Sequence, residues 1–166
     1  MRFRLLFVLL AALLLLSACH SISVITNRDT GYKERLTNVL VWESGGLQEK
    51  HSTLEDRMSR FRTALVTELE SRGIKVTTLT TRSMDLNVNE LLRSEVRRAG
   101  AKQVLNIQPI SAFVRIHVDY YDVGVNVLDT GTNREVWKAT IGANFYSSPD
   151  EMAKKLIAQL QQAGML

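Results

Sequence analysis

The residues able to do chemistry are few, and their spacing excludes more than it offers. The 166-residue chain has one cysteine, Cys19, and three histidines, His20, His51 and His117. No His-x-x-x-His or His-Glu-x-x-His spacing occurs, and no cysteine follows Cys19, so no zinc site or other metal centre is expected. There is no Gly-x-Ser-x-Gly elbow for a nucleophile and no phosphate-cradling Gly-x-x-x-x-Gly-Lys loop. The one acidic-aromatic cluster is Asp119-Tyr120-Tyr121-Asp122. Two carboxylates three apart could hold a cation or a sugar, but Asp beside a turn or bulge more often bonds nearby backbone N–H groups. His51 precedes a helix in a polar stretch, and His117 alternates with Ile116 and Val118, which places it on a solvent or edge face. No cofactor is expected, and the chain does not read as an enzyme.

The lone thiol has a distinctive address. Arg2 and Arg4 precede the run Leu5–Leu16, twelve residues without a polar side chain, and Leu16-Ser17-Ala18-Cys19 follows. A basic lead, an apolar stretch and a small-residue site form the anatomy of a secretory signal peptide. Twelve helical residues span only about 18 Å, short of a bilayer core. Leu16-Ser17-Ala18-Cys19 resembles the lipobox of bacterial lipoproteins. The resemblance implies cleavage between Ala18 and Cys19, with Cys19 then carrying the N-acyl and S-diacylglycerol groups. Several chains on one residue give lasting attachment where a single chain gives only marginal binding. In that family an Asp after the cysteine retains the protein in the inner membrane. Here His20 follows, which implies anchorage in the outer membrane on its periplasmic face.

Without residues 1–18 the chain has 148 residues, suited to one domain, with 19 basic and 17 acidic side chains. The clusters Arg57/Arg60/Arg62 and Arg93/Arg97/Arg98 are interleaved with Glu and Asp on helical stretches. They read as solvated helix faces, and no nucleic-acid partner is expected.

The elements come in a clear order. Residues 19–36 read as the lipidated N-terminus and a short polar tether, and residues 37–166 as a single periplasmic domain. Thr37–Trp42 reads as a strand buried on both faces, and Ser44-Gly45-Gly46 as its turn. Ser52-Thr53-Leu54-Glu55 matches a capping box, followed by the stripe Leu54, Met58, Phe61, Leu65 and Leu69 and by Gly73 as terminator. Ile74–Thr81 is a β-branched strand; Asn87 caps a shorter helix with Val88, Leu91, Leu92, Val96 and Ala99, ending at Gly100. Gln103–Ile110 is a strand. Apolar parity then runs through Val114, Ile116, Val118 and Tyr120 and flips to Tyr121, Val123, Val125 and Val127, which requires a bulge or a turn near residues 118–122. Asp129-Thr130-Gly131 turns the chain into Glu135–Phe145, with Trp137, Ala139, Ile141, Ala143 and Phe145 on one face. Ser148 caps the last helix, with Pro149 at its first position and the stripe Met152, Leu156, Ile157, Leu160 and Ala163. Trp42 and Trp137 read as core or sheet-face residues.

The fold class is α/β of the α+β type, one mixed sheet with packed helices in the order β-α-β-α-β-β-β-α. This layout resembles the exported lipoproteins of the curli-secretion and penicillin-binding-protein-activator families, whose shared domain is similar to the N-terminal domain of the Tol translocation protein. The resemblance is carried by Val39-Leu40-Val41, by Ala99 to Leu105 and by the hairpin Val125 to Trp137. It implies a non-enzymatic lipoprotein that docks a partner protein of the cell envelope. The tether is too short to cross a cell-wall mesh, and there is no room for added pore-forming segments. The alternative is a lipid-, glycan- or lipopolysaccharide-binding lipoprotein assisting outer-membrane assembly. The small lipoprotein of lipopolysaccharide assembly is similar in size, anchor and layout, but the helix at 88–99 departs from it.

Overall fold

The computed structural model describes residues 22–45, 52–82, 85–115 and 118–166, with the side chains of 52–53, 112–115 and 118–119 outside the description. Cys19, Ala18, His20, His51 and His117 all lie outside the described residues. The elements are β1 (Ser23–Arg28), β2 (Asn38–Ser44), α1 (Ser52–Glu70), β3 (Lys75–Thr81), α2 (Val88–Ala99), β4 (Gln103–Arg115), β5 (Val118–Asp129), β6 (Arg134–Asn144) and α3 (Pro149–Gln162). They form one six-stranded sheet in the order β1-β6-β5-β4-β2-β3. β2 runs parallel to both β3 and β4, whereas β4, β5, β6 and β1 form an antiparallel meander. The expected mixed sheet and element order hold, with one strand added in front.

That strand corrects the tether. Ser23–Arg28 is an edge strand paired with β6, Ser23 opposite Gly142 and Arg28 opposite Trp137. The loop after it belongs to the domain as well. The Asp29 N–H donates to the Val136 carbonyl, and the Leu36 N–H donates to the Met165 carbonyl at 2.8 Å. Leu36 and Ile22 are both buried. Residues from Ile22 onward therefore belong to the domain, including the stretch 22–36 expected as tether.

The parity flip needs neither the turn nor the bulge expected near residues 118–122: Val118–Asp129 is one strand with unbroken register there, and its apolar residues occupy both faces, Tyr120 on one and Tyr121, Val123 and Val125 on the other. β4 and β5 pair antiparallel as far as Arg115 opposite Val118. A register shift between Pro109 and Ser111 marks the expected end of β4, and the strand continues past it to Arg115.

The sheet has two unequal coverings. α1 and α3 lie on one face over the main core, where Val39, Val41, Leu105, Ile107, Val123, Val125, Val127, Trp137 and Ile141 meet Phe61, Leu65, Leu69, Leu156, Ile157 and Leu160. Every position of the predicted α1 stripe is buried. On the other face a small cluster of Leu40, Ala101 and Val104 is packed by Leu92, Val96 and Ala99 of α2, with Trp42 and Leu79 half-buried beside it. β2 is covered on both sides, as a continuous apolar run requires. Trp137 sits in the core, while the Trp42 indole donates to the Thr81 hydroxyl at 2.9 Å.

The helix ends differ in detail from their sequence signals. Asn87 stands at the N-cap of α2 with a left-handed φ of 58° and makes no side-chain cap bond; its carbonyl accepts from Glu90 and Leu91 instead. Ser148 is extended ahead of Pro149 and likewise uses its carbonyl, toward Met152, without a hydroxyl cap. Gly100, at φ 59°, closes α2 as expected of a left-handed C-terminal residue, and the Asn38 amide reaches the Ala99 and Gly100 carbonyls across the loop. Among the described residues no helix is long and apolar enough to cross a membrane.

Candidate docking face

α2 packs against the β2–β3 side of its face, and among the described residues no helix lies over β1, β6, β5 and the outer part of β4 on that side. Alternation along each strand decides what is shown there. In β5, Val123 and Val125 point into the core, so Asp122, Gly124 and Asn126 point outward. In β6 the same logic exposes Lys138, Thr140 and Gly142, and in β1 Ser23, Ile25 and Asn27.

This open face carries apolar side chains that solvent does not favour. Ile25 is 73% exposed, Ile110 49% and Tyr120 48%. Gly124 makes room for one of them: a Cβ there would stand 2.9 Å from Ile110 Cδ1. Ile110 thus lies over the backbone of β5, level with Thr140 and Ile25 in the next two strands. Gly142 does the same one step along, where a Cβ would meet Ser23 Oγ at 2.7 Å. The two glycines keep the face low between its apolar edges. Scattered single apolar residues on a surface need no explanation, whereas three on one uncovered sheet face mark a place where something can pack.

The acidic-aromatic cluster divides between the two faces. Tyr120 is on the open face. Tyr121 is buried in the core, where its hydroxyl meets Met152 Sδ at 3.1 Å, so it is not a surface residue. Strict alternation along β5 separates it from its neighbours. Asp122 returns to the open face and accepts the Ser111 hydroxyl at 2.8 Å, a local polar partnership within the β4–β5 pair. Asp119 lies in β5, but its side chain is outside the described residues. Tyr120 and Asp122 are therefore the members brought together on one surface.

Of the clustered arginines, Arg57, Arg60, Arg62 and Arg98 find acidic or aromatic neighbours. Arg60 pairs with Asp56 at 2.9 Å, Arg62 with Glu43 at 2.6 Å, and Arg98 Nε donates to Glu95 at 2.9 Å. Burial pushes the Glu43 carboxyl above its ordinary value, against the pull of Arg62. Arg57 takes a different role: its guanidinium stands 5.6 Å from the ring centres of both Tyr121 and Phe145 and donates to the Tyr121 hydroxyl and the Ser147 carbonyl. Sequence reasoning did not find this clamp, because its partners lie 64 and 90 residues away.

At the far end of the sheet, Asp129 organises the expected turn. Its carboxylate accepts the Thr132 N–H at 2.7 Å, the Thr132 hydroxyl at 2.9 Å and the Tyr32 hydroxyl at 3.0 Å. Partial burial pushes Asp129 upward, but these donors together hold its carboxyl below the usual range. Two shallow clefts are lined mainly by polar side chains and neither borders the open face of the β4–β5 pair. One of about 630 Å³ lies between α1 and α3, with Arg60, Thr63, Thr67, Glu68, Asp150 and Lys154. Another of about 290 Å³ lies at Asn27 to Asp29 and Arg134 to Lys138. Among the described residues no group of three His, Cys, Asp or Glu side chains is placed to hold a metal ion.

No family model matches the sequence, and no curated protein does. Solved structures do resemble the fold. A PelC dodecamer from Paraburkholderia phytofirmans matches at TM-score 0.56 and 16% identity, over 87% of this chain and 98% of that one. A second PelC dodecamer structure from the same organism matches at TM-score 0.56 and 17% identity, over 86% and 98%. The lipoprotein GNA1162 from Neisseria meningitidis matches at TM-score 0.41 and 13% identity, over 76% and 96%. At these identities the likeness to PelC is one of fold.

Proposed function

We propose that this protein is a non-enzymatic lipoprotein of the cell envelope, held in the outer membrane through Cys19, whose periplasmic domain docks a partner protein. The anchor half of this reading is supported by the Leu16-Ser17-Ala18-Cys19 site behind a basic and apolar lead, and by the resemblance to exported lipoproteins of the same layout. The docking half is carried by one observation: among the described residues, half of the sheet has no element over one face, where Ile25, Ile110 and Tyr120 are exposed. A flat face edged with aliphatic and aromatic groups suits a protein surface, whose interface cores are apolar with aromatic residues enriched. A glycolipid ligand would instead favour an enclosed apolar cavity.

A second reading concerns the identity of the partner. The PelC structures are dodecamers. Their fold likeness supports another copy of this chain as one occupant of the face. Photo-crosslinking groups placed at Ile25 and Ile110 test both readings. A discrete adduct with an envelope protein supports hetero-docking, and an adduct of twice the chain mass supports self-assembly. Recovery of glycolipid alone would overturn both in favour of a lipid- or glycan-binding module.

A further inference from the structure

The first strand fixes how the domain meets the membrane. Ile22 is 6% exposed, and its carbonyl accepts a hydrogen bond from Lys155 Nζ of α3 at 2.8 Å. The chain is therefore pinned to the body of the domain at Ile22. From there to Cys19 is three residues, at most about 11 Å of extended chain. A lipid on Cys19 can only bring one end of the domain to the bilayer.

The sheet register says which end. Ser23 stands opposite Gly142, Gly142 opposite Asp122, and Asp122 opposite Ser111. Since β1 runs antiparallel to β6, Ile22 stands at the Asn144 end of β6, and Asn144 itself stands opposite Tyr120. Ile22 thus lies at the end of the sheet where β4 meets β5 and where β6 passes into α3. Two exposed tyrosines mark that end. Tyr120 is 48% exposed, and Tyr146, in the loop after β6, is 70% exposed. Tyr146 is held in place: its N–H donates to Asn144 Oδ1 at 2.9 Å, and the same oxygen accepts the buried Ser147 hydroxyl at 3.0 Å. Tyrosine has an apolar ring and a polar tip, the combination enriched at the water–headgroup boundary of membranes. Charge is present at both ends, as Asp150 and Glu151 beside the Tyr146 loop and as Lys102 and the Asp129–Arg134 turn at the opposite end, so the exposed tyrosines are what distinguish the first.

We propose that Tyr120 and Tyr146 rest in the headgroup layer of the membrane that holds Cys19, so that the sheet stands upright with its open face directed sideways. The inference rests on the anchoring of Cys19 proposed above. Lipid docking of this end leaves Ile25 and Ile110 free for a protein neighbour in the plane of the membrane.

The test uses the full, lipidated chain reconstituted into phosphatidylethanolamine–phosphatidylglycerol vesicles, with Cys19 acylation verified by intact mass. With that thiol blocked, a single introduced cysteine takes an environment-sensitive fluorophore in the variants Tyr146→Cys, Tyr120→Cys and Lys102→Cys. Flotation with the vesicles reports the anchor; fluorescence reports the orientation. The expected result is blue-shifted emission, quenched by headgroup-labelled lipid, at positions 146 and 120, with unshifted and unquenched emission at 102. Equal emission at all three positions in a protein that floats would overturn the orientation while leaving the anchor intact. A chain that is not acylated and does not float would sink the anchor reading and this inference with it.

Discussion

Replacing Arg57 by alanine is expected to destabilise the domain by about 2–4 kcal/mol and to loosen the loop that carries Tyr146. Arg57 reaches from α1 to the junction of β6 and α3, with its guanidinium 5.6 Å from the centres of two rings, Tyr121 and Phe145, that are themselves tilted together at 5.2 Å. A cation held over an aromatic ring gives about 0.5–2 kcal/mol, more as it is desolvated. The same side chain donates to the carbonyl of Ser147, a residue 1% exposed. Leaving a buried acceptor unpaired costs about 1–3 kcal/mol. These terms share one side chain and do not simply add, which sets the range given. Arg57→Lys keeps the charge but lacks the planar fork, so it should recover only part of the loss. Denaturant unfolding of the three proteins measures the effect, and hydrogen exchange at residues 145–148 reads the loop. A loss below about 0.5 kcal/mol for Arg57→Ala, the range of an ordinary surface change, would refute the clamp.

Other expectations follow from the same geometry. Gly142→Val brings a Cβ to 2.7 Å from Ser23 Oγ, so Ser23 must shift, and the change should show as lost hydrogen-exchange protection in β1; unchanged protection there would contradict the close β1–β6 approach. Asp129→Asn should lower stability most at neutral pH. The native carboxyl is depressed, so its contribution is present above the ordinary carboxylate value and lost as pH falls through the lower folded one. The gap between wild type and variant should therefore close in acid, and a gap constant with pH would contradict this. Ile25→Lys combined with Ile110→Lys should change stability by less than about 0.5 kcal/mol per site, since both are exposed, yet abolish partner crosslinks.

The helices were legible because each buries a stripe that repeats at helical spacing. All five α1 positions and Met152, Leu156, Ile157 and Leu160 of α3 are in the core. The α2 stripe was equally regular, yet none of its residues is fully buried, because periodicity reports a face and not how much covers it. β1 was not legible as a strand. Asn27, Arg28 and exposed Ile25 give it the polarity of a tether, and its pairing depends on Gly142, more than a hundred residues away. The β-branched run Val24-Ile25-Thr26 was the available signal, and an edge strand with one neighbour weakens such a signal. The parity flip misled, because β5 runs unbroken through residues 118–122 with apolar residues on both faces, and the irregularity of the β4–β5 pair lies at Pro109–Ser111 in β4. The acidic-aromatic cluster looked contiguous in sequence and is divided by the two-residue period of β5, with Tyr121 in the core and Asp122 outside. The open face itself could not be read in advance, because it follows from where α2 packs.

The central claim is that a lipid-anchored domain docks a protein through its open sheet face. The most direct measurement is photo-crosslinking in intact cells from Ile25 and Ile110, with Arg60 on the exposed side of α1 as control, in the native chain and in Cys19→Ala. The account predicts a discrete protein adduct from Ile25 and Ile110, absent from Arg60 and lost or weakened without the anchor. Protein adducts from Arg60 alone, with none from the open face, would contradict it.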